Sequence, residues 1–377
     1  MDKQPPFFPL DAPTRFFASS HAPIEFYFKK CSRDFSVLEE PLYPFSGCGD
    51  HAVLKVRKKD QSTWEMLSLF SQISGCKIPD FGYAGLKDKQ AISTQYISMP
   101  KTRATILEKH TSILLEHGIK ILEINAHSHK IRLGHLKGNH FSMRLKKLKP
   151  LDARKIEQVL GFLQTYGFPN YFGAQRFGKG GDNFKQSAPR SKKLNAFFLS
   201  SYQSHLFNHW LSARMRLNTL LANFSPQELR AEFAHLKLDT LKALQAQEHY
   251  FKLLEGDILC HYPFGKYFCH DDPLNATRLI TQEIAPTGLL TGQKIMHAQN
   301  TAWSLECPYA HPLKAKGDRR YALVFPAEVR FSYLPQEAQG KLEFFLPKGA
   351  YATIFLEEIA GRILFTPSKE IHARFMA

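Results

Sequence analysis

Short runs in which apolar and polar residues alternate crowd the first part of the chain, fade after Gly167 and return near the C-terminus. This distribution restricts the fold more than any other feature, because a period of two calls for strands with one buried face. It predicts strands at Ile24–Phe28, Phe35–Glu39, His51–Arg57, Ser93–Ser98, Ile119–Ile124, Lys130–Leu136 and His140–Leu145. Between them, periodicity near 3.6 predicts helices at Thr63–Ser74, with Thr63 as N-cap, at Thr102–His117 and at Asp152–Thr165. Such an order gives an α+β sheet with mostly antiparallel connections and excludes a run of βαβ units. After Gly167 come a Gly- and aromatic-rich loop (Asn170–Asp182), helices at Ser204–Leu221 and Pro226–Glu248, and a turn-broken stretch from Gly256 to Ile295. Strands return at Lys341–Phe345 and Tyr351–Glu357, on either side of Pro347-Lys348-Gly349. A tail resembling the beginning more than the middle indicates a domain inserted into a discontinuous parent.

The 377 residues are 44% hydrophobic, which excludes disorder, and no apolar run reaches the ~18–20 residues a membrane helix needs. Six cysteines without a Cys-x-x-Cys pair suit a reducing cytoplasm. The formal net charge is +16, and residues 101–150 supply half of it, with eleven Lys or Arg against three Glu. Smaller basic clusters are Lys55, Arg57, Lys58 and Lys59, and Arg190, Lys192 and Lys193. Most charge runs are solvated faces. Here they interleave with aromatics and histidines, and a polyphosphate partner would relieve the repulsion, so nucleic-acid binding is the favoured class.

Several motifs fail on inspection. Gly173 to Gly180 resembles a phosphate-binding P-loop, but Gly180 stands where the Mg²⁺-holding hydroxyl belongs, and Pro169, Asn170 and Tyr171 replace the preceding strand. Cys260-His261 and Cys269-His270 match no common zinc spacing, and His127 with His129 reads more simply as surface. Asp88 is more informative. It lies in Phe81-Gly-Tyr-Ala-Gly85-Leu-Lys87-Asp88-Lys-Gln-Ala91-Ile-Ser-Thr94-Gln95, flanked by two lysines. It is a turn former or a catalyst, and cations on both sides would favour its ionised form.

Gly85-Leu86-Lys87-Asp88 with Ala91 and Gln95 is similar to the signature of the TruD family of tRNA pseudouridine synthases. Further along, Gly138-Asn139-His140-Phe141 and Asn170-Tyr-Phe-Gly-Ala-Gln-Arg-Phe-Gly178 resemble other family motifs. So do Leu199 to Asn208 and Leu346 to Thr353, in family order from Lys29 to Glu358, although Pro and Glu are missing before Phe35. The resemblance implies a pseudouridine-synthase-like mixed, mostly antiparallel sheet flanked by helices. Residues 1–166 and 325–377 would form it, and 167–324 would be an inserted α+β TRUD domain making a V-shaped cleft. It implies a tRNA partner with uridine 13 of the D-arm as target, no cofactor, no metal and no membrane, and a chain acting as a monomer. Asp88 takes the place of the catalytic aspartate. Phe141 would stack on a flipped base, with Phe35 and Tyr351 as further walls; Asn139 would orient backbone or Asp88. Lys29 would pair with Asp88 or contact phosphate. A non-catalytic RNA-binding or chaperone protein is the alternative. A methyltransferase lacks its Gly-rich loop here, and a metal-dependent nuclease its clustered carboxylates.

Overall fold

The computed structural model describes residues 13–177 and 192–365. Its elements begin with β1 (Phe35–Pro41), β2 (His51–Lys59), α1 (Thr63–Ser74), β3 (Gly82–Tyr83) and β4 (Ile92–Pro100). There follow α2 (Lys101–Lys109), α3 (Thr111–Glu116), β5 (Ile119–His127), β6 (Leu136–Lys146), α4 (Pro150–Tyr166) and β7 (Phe168–Pro169). The middle of the chain holds α5 (Lys192–Asn223), α6 (Pro226–Glu232), α7 (Leu238–Ala246), β8 (Ile258–His261) and β9 (Tyr267–Cys269). After these come α8 (Asn275–Ile280), β10 (Ile284–Leu290), α9 (Asn300–Glu306), β11 (Asp318–Tyr321) and β12 (Leu323–Val324). The last elements are β13 (Ala327–Leu334), β14 (Gln339–Pro347) and α10 (Ala352–Ala360).

Two compact units emerge. One consists of Glu25–Glu157 with Pro326–Gly349; the other holds the described residues of Met1–Ile24, Gln158–Phe325 and Ala350–Ala377. The first is built on an eight-stranded sheet in the order β13-β14-β6-β1-β4-β2-β5, with β3 beside β4. Every pairing is antiparallel except β1 with β4. The alternation in β2 and β4 turns Ala52, Leu54, Val56, Ile97 and Met99 to one face. There they meet Met66, Leu67 and Phe70 of α1 and Leu107 of α2, all buried. Residues from the end of the chain complete the sheet, because β14 pairs along all of its length with β6. In the second unit a smaller sheet, β11-β10-β8-β9, packs against the long α5. Gly288 of β10 permits this: a Cβ there would lie 2.1 Å from the Trp210 ring of α5. Among the described residues no helix is long and apolar enough to cross a membrane.

Six expectations are corrected. Ile24–Phe28 forms only a single bridge, Tyr27 with Lys146, and Lys130–Leu136 is a turn-containing connection that becomes strand at Leu136. The N-cap of α1 is Ser62, whose side chain accepts from the Glu65 amide while Glu65 accepts from the Ser62 amide, a complete capping box. Thr102–His117 and Pro226–Glu248 each divide into two helices. Finally, Tyr351–Glu357 is the start of helix α10, capped by a left-handed Gly361. Residues 1–12 of the N-terminal segment, 178–182 of the aromatic loop, and Arg190 lie outside the described residues.

Candidate active site

Asp88 lies between β3 and β4, with its side chain 46% exposed. The backbone beneath it is held by side chains from several elements. The Lys87 amide donates to Thr63 Oγ1 in the first turn of α1 (3.0 Å), and that hydroxyl donates to Gln95 Oε1 on β4 (3.0 Å). Lys58 on β2, completely buried, donates to the Asp88 carbonyl at 3.0 Å and to that of Gln61 at 2.5 Å, with a longer contact of 3.4 Å to that of Lys87. The Lys87 side chain turns inward, 2.6 Å from the Glu39 carboxylate on β1, and donates to Asn139 Oδ1 on β6 at 2.7 Å.

Strand geometry explains why these groups meet. Phe35, Val37 and Glu39 point to one face of β1, opposite Met143, Phe141 and Asn139 of β6. The Gly-Asn-x-Phe spacing therefore puts amide and ring side by side on one face. Gly138 is required by close approach, since a Cβ there would come within 2.2 Å of the Leu346 carbonyl and 2.5 Å of the Phe345 ring. His140, in the opposite phase, packs at a tilt against Phe345 with ring centres 4.9 Å apart and faces Glu40 and Glu328. The rings form a layered wall: Phe35 and Phe141 lie 6.1 Å apart with planes within 9°, and Phe141 and Phe344 lie 5.3 Å apart. Phe35 and Phe344 are buried, whereas Phe141 is half-buried and presents part of its surface.

The electrostatics differ from the sequence expectation. Neither flanking lysine pairs with Asp88: Lys87 is taken by Glu39, and Lys89 by Glu65 at 2.5 Å. The partner is Lys30, at 2.7 Å from the Asp88 carboxylate, with its ammonium 5.7 Å from the centre of the Phe35 ring. The pairing expected of Lys29 thus belongs to its neighbour, and Lys29 is exposed. Asn139 orients Lys87 rather than Asp88. Burial pushes the Glu39 carboxyl up from its ordinary range, against the pull of Lys87, and pushes the Lys58 ammonium down to about 8.

Tyr351 belongs to the other unit, where it precedes α10 and its ring lies 6.1 Å from Phe172. The Arg320 guanidinium stacks 3.8 Å over Phe172 and donates to the carbonyl and side chain of Asn170. Among the described residues no group of three or more His, Cys, Asp or Glu is placed to hold a metal ion.

Glu39, Lys30 and Lys58 were not singled out as site residues by sequence. A signal existed for two of them: Glu39 is in phase with Phe35 and Val37, and Lys58 with Leu54 and Val56, so a charge sits where the pattern demands an inward residue. The basic cluster on β2 is accordingly divided. Arg57 and Lys59 are exposed, Lys55 pairs with Glu123 at 2.7 Å, and Lys58 is inside.

The family model for "tRNA pseudouridine synthase D (TruD)" matches residues 12–184 and 179–359. A tRNA pseudouridine synthase D of Helicobacter pylori (strain ATCC 700392 / 26695) is 48% identical over 363 residues, covering 91% of this chain and 94% of that protein. A protein of the same name from Helicobacter hepaticus is 46% identical over 368 residues, covering 92% and 96%. A crystal structure assigned as tRNA pseudouridine synthase D from Methanosarcina mazei superposes with a TM-score of 0.59 at 21% identity, over 94% of this chain and 97% of that one, a likeness of fold.

Proposed function

Since the chain belongs to the TruD family of tRNA pseudouridine synthases, we propose that it isomerises uridine to pseudouridine in tRNA, at position 13 of the D-arm, with Asp88 as its catalytic carboxylate. One observation carries the assignment of Asp88. The backbone around it is tied down by buried groups, while its carboxylate stays open to solvent with a single lysine beside it. That is the arrangement a reacting group needs: fixed origin, free tip.

In this isomerisation the C1′–N1 bond breaks and C1′ joins C5; the C5 proton leaves and N1 gains one. No electrons are gained or lost overall, so we read the site as working without metal or cofactor. The carboxylate acts at C1′, at C6 or on the C2′ proton. The uridine must leave its stack, at a cost of a few kcal/mol, and stacking on an aromatic ring returns roughly 1–3 kcal/mol. Phe141 supplies the accessible ring, and Phe35 fixes it from behind. The exposed Lys29 serves as a phosphate contact. In this reading residues 167–324 form the inserted TRUD domain, 1–166 and 325–377 the catalytic one, and the protein acts as a cytoplasmic monomer.

The test is pseudouridine mapping on bulk tRNA incubated with the purified protein, with no nucleotide or metal added. New pseudouridine at position 13 is the expected result. Modification elsewhere overturns the position, and binding without modification favours a non-catalytic RNA-binding protein. Phe141→Leu keeps apolar volume but removes the ring. We expect kcat/KM on tRNA to fall by roughly 5–150-fold, the stacking range, with the melting temperature nearly unchanged. Unaltered steady-state kinetics would remove Phe141 from the base site.

A further inference from the structure

We infer that Lys58 is a positioning residue of the reaction: its ammonium anchors the peptide units that carry Asp88 and so sets where the carboxylate is presented. The inference rests on the reading of Asp88 as catalyst.

Lys58 is the least expected side chain in this unit. It stands on a central strand and is completely buried, and among the described residues it makes no ion pair. A buried ammonium without a carboxylate is costly, so the fold must satisfy it with dipoles. It does so completely. An ammonium has three donors, and the three acceptors here are backbone carbonyls of Gln61, Lys87 and Asp88. Gln61 belongs to the turn between β2 and α1, whereas Lys87 and Asp88 belong to the segment before β4. Lys58 therefore ties two separate segments together at Asp88. On the other side of the same peptide chain, Thr63 Oγ1 receives the Lys87 amide, so the backbone is held from both its donor and acceptor sides. A methylene chain of the same length could fill the space but could not fix the carbonyls.

Charge adds to geometry. The field of Asp88 supports the protonated state of Lys58, together with that of Glu65, while Lys87 and burial oppose it.

The test compares Lys58→Met and Lys58→Ala with the wild type and with Asp88→Asn, using tRNA as substrate. Lys58→Met should lower kcat by about 100-fold, the cost of a misplacement near 1 Å, with KM for tRNA within about threefold. For Lys58→Ala, added propylammonium should restore kcat saturably by at least about tenfold, while propanol of the same shape should not. This second variant keeps the inference testable if the first does not fold. Retention of kcat by Lys58→Met overturns it. So does a loss in Lys58→Ala that the amine does not relieve, or that propanol relieves equally, since filling space would then be the whole effect. If Asp88→Asn remains active, the reading of Asp88 fails and the role of Lys58 with it. If Asp88→Asn is inactive and Lys58→Met is not, only the role of Lys58 falls.

Discussion

Asp88→Asn lowers kcat by roughly 10⁴-fold, the upper end of what a positioned acid–base group contributes, while tRNA affinity changes little. The substitution is nearly isosteric, and the backbone contacts from Lys58 and Thr63 do not involve the side chain. It does remove the ion pair with Lys30, in which Asp88 is half exposed. Exposed pairs contribute about 0–1 kcal/mol, so the fold should be unaffected. Losing a negative charge beside a polyanion would tighten binding slightly if it changes binding at all. Single-turnover kinetics with enzyme in excess, beside filter binding at two salt concentrations, separate the two effects. Wild-type turnover by the variant would mean that the reacting carboxylate lies elsewhere.

The second large effect falls on stability. Glu39→Ala leaves the Lys87 ammonium buried with only the Asn139 amide oxygen as partner. Removing one member of a buried pair costs about 3–5 kcal/mol, because the remaining charge stays desolvated. For a unit of this size each kcal/mol lowers the melting temperature by roughly 2–4 °C, so a drop of about 6–20 °C is expected. The double variant Glu39→Ala/Lys87→Met should recover most of that loss, since neither charge then remains. Thermal melts of the four proteins form the cycle. Equal destabilisation in the single and double variants would show that packing, not charge, is lost.

The segments around Asp88, Asn139 and Phe141 stood out in sequence because these residues sit in local motifs whose spacing is itself structural. In β6 two residues of one face must be two apart, and Asn139 and Phe141 are. What pairs with Asp88 could not be read, because Lys29 and Lys30 are adjacent and only the course of the chain before β1 selects Lys30. Helix α10 escaped for a different reason. Every residue from Ile354 to Ala360 is buried, including Glu357 and Glu358, which pair with Arg15, so the helix has no exposed polar face to mark it. Its apolar run, with Tyr351, Ile354 and Phe355, looks like strand composition, and only Gly361 marks a helix end. Lys130–Leu136 failed in the opposite way: its residues alternate, but Ile131 is buried by contact with β4 through Ser98 without joining a ladder.

The late arrival of β14 has a consequence during synthesis. Strand β6, which carries Asn139 and Phe141, receives its outer partner only when Gln339–Pro347 has been made, roughly 190 residues after β6 itself. At ordinary rates of about 5–20 residues per second, that is a wait of roughly 10–40 s. Throughout it the nascent chain exposes an eleven-residue strand edge next to the aromatic wall, the kind of surface that recruits other chains. A ribosome stalled within the intervening segment would therefore hold this sheet with Asp88 already made and one edge still open.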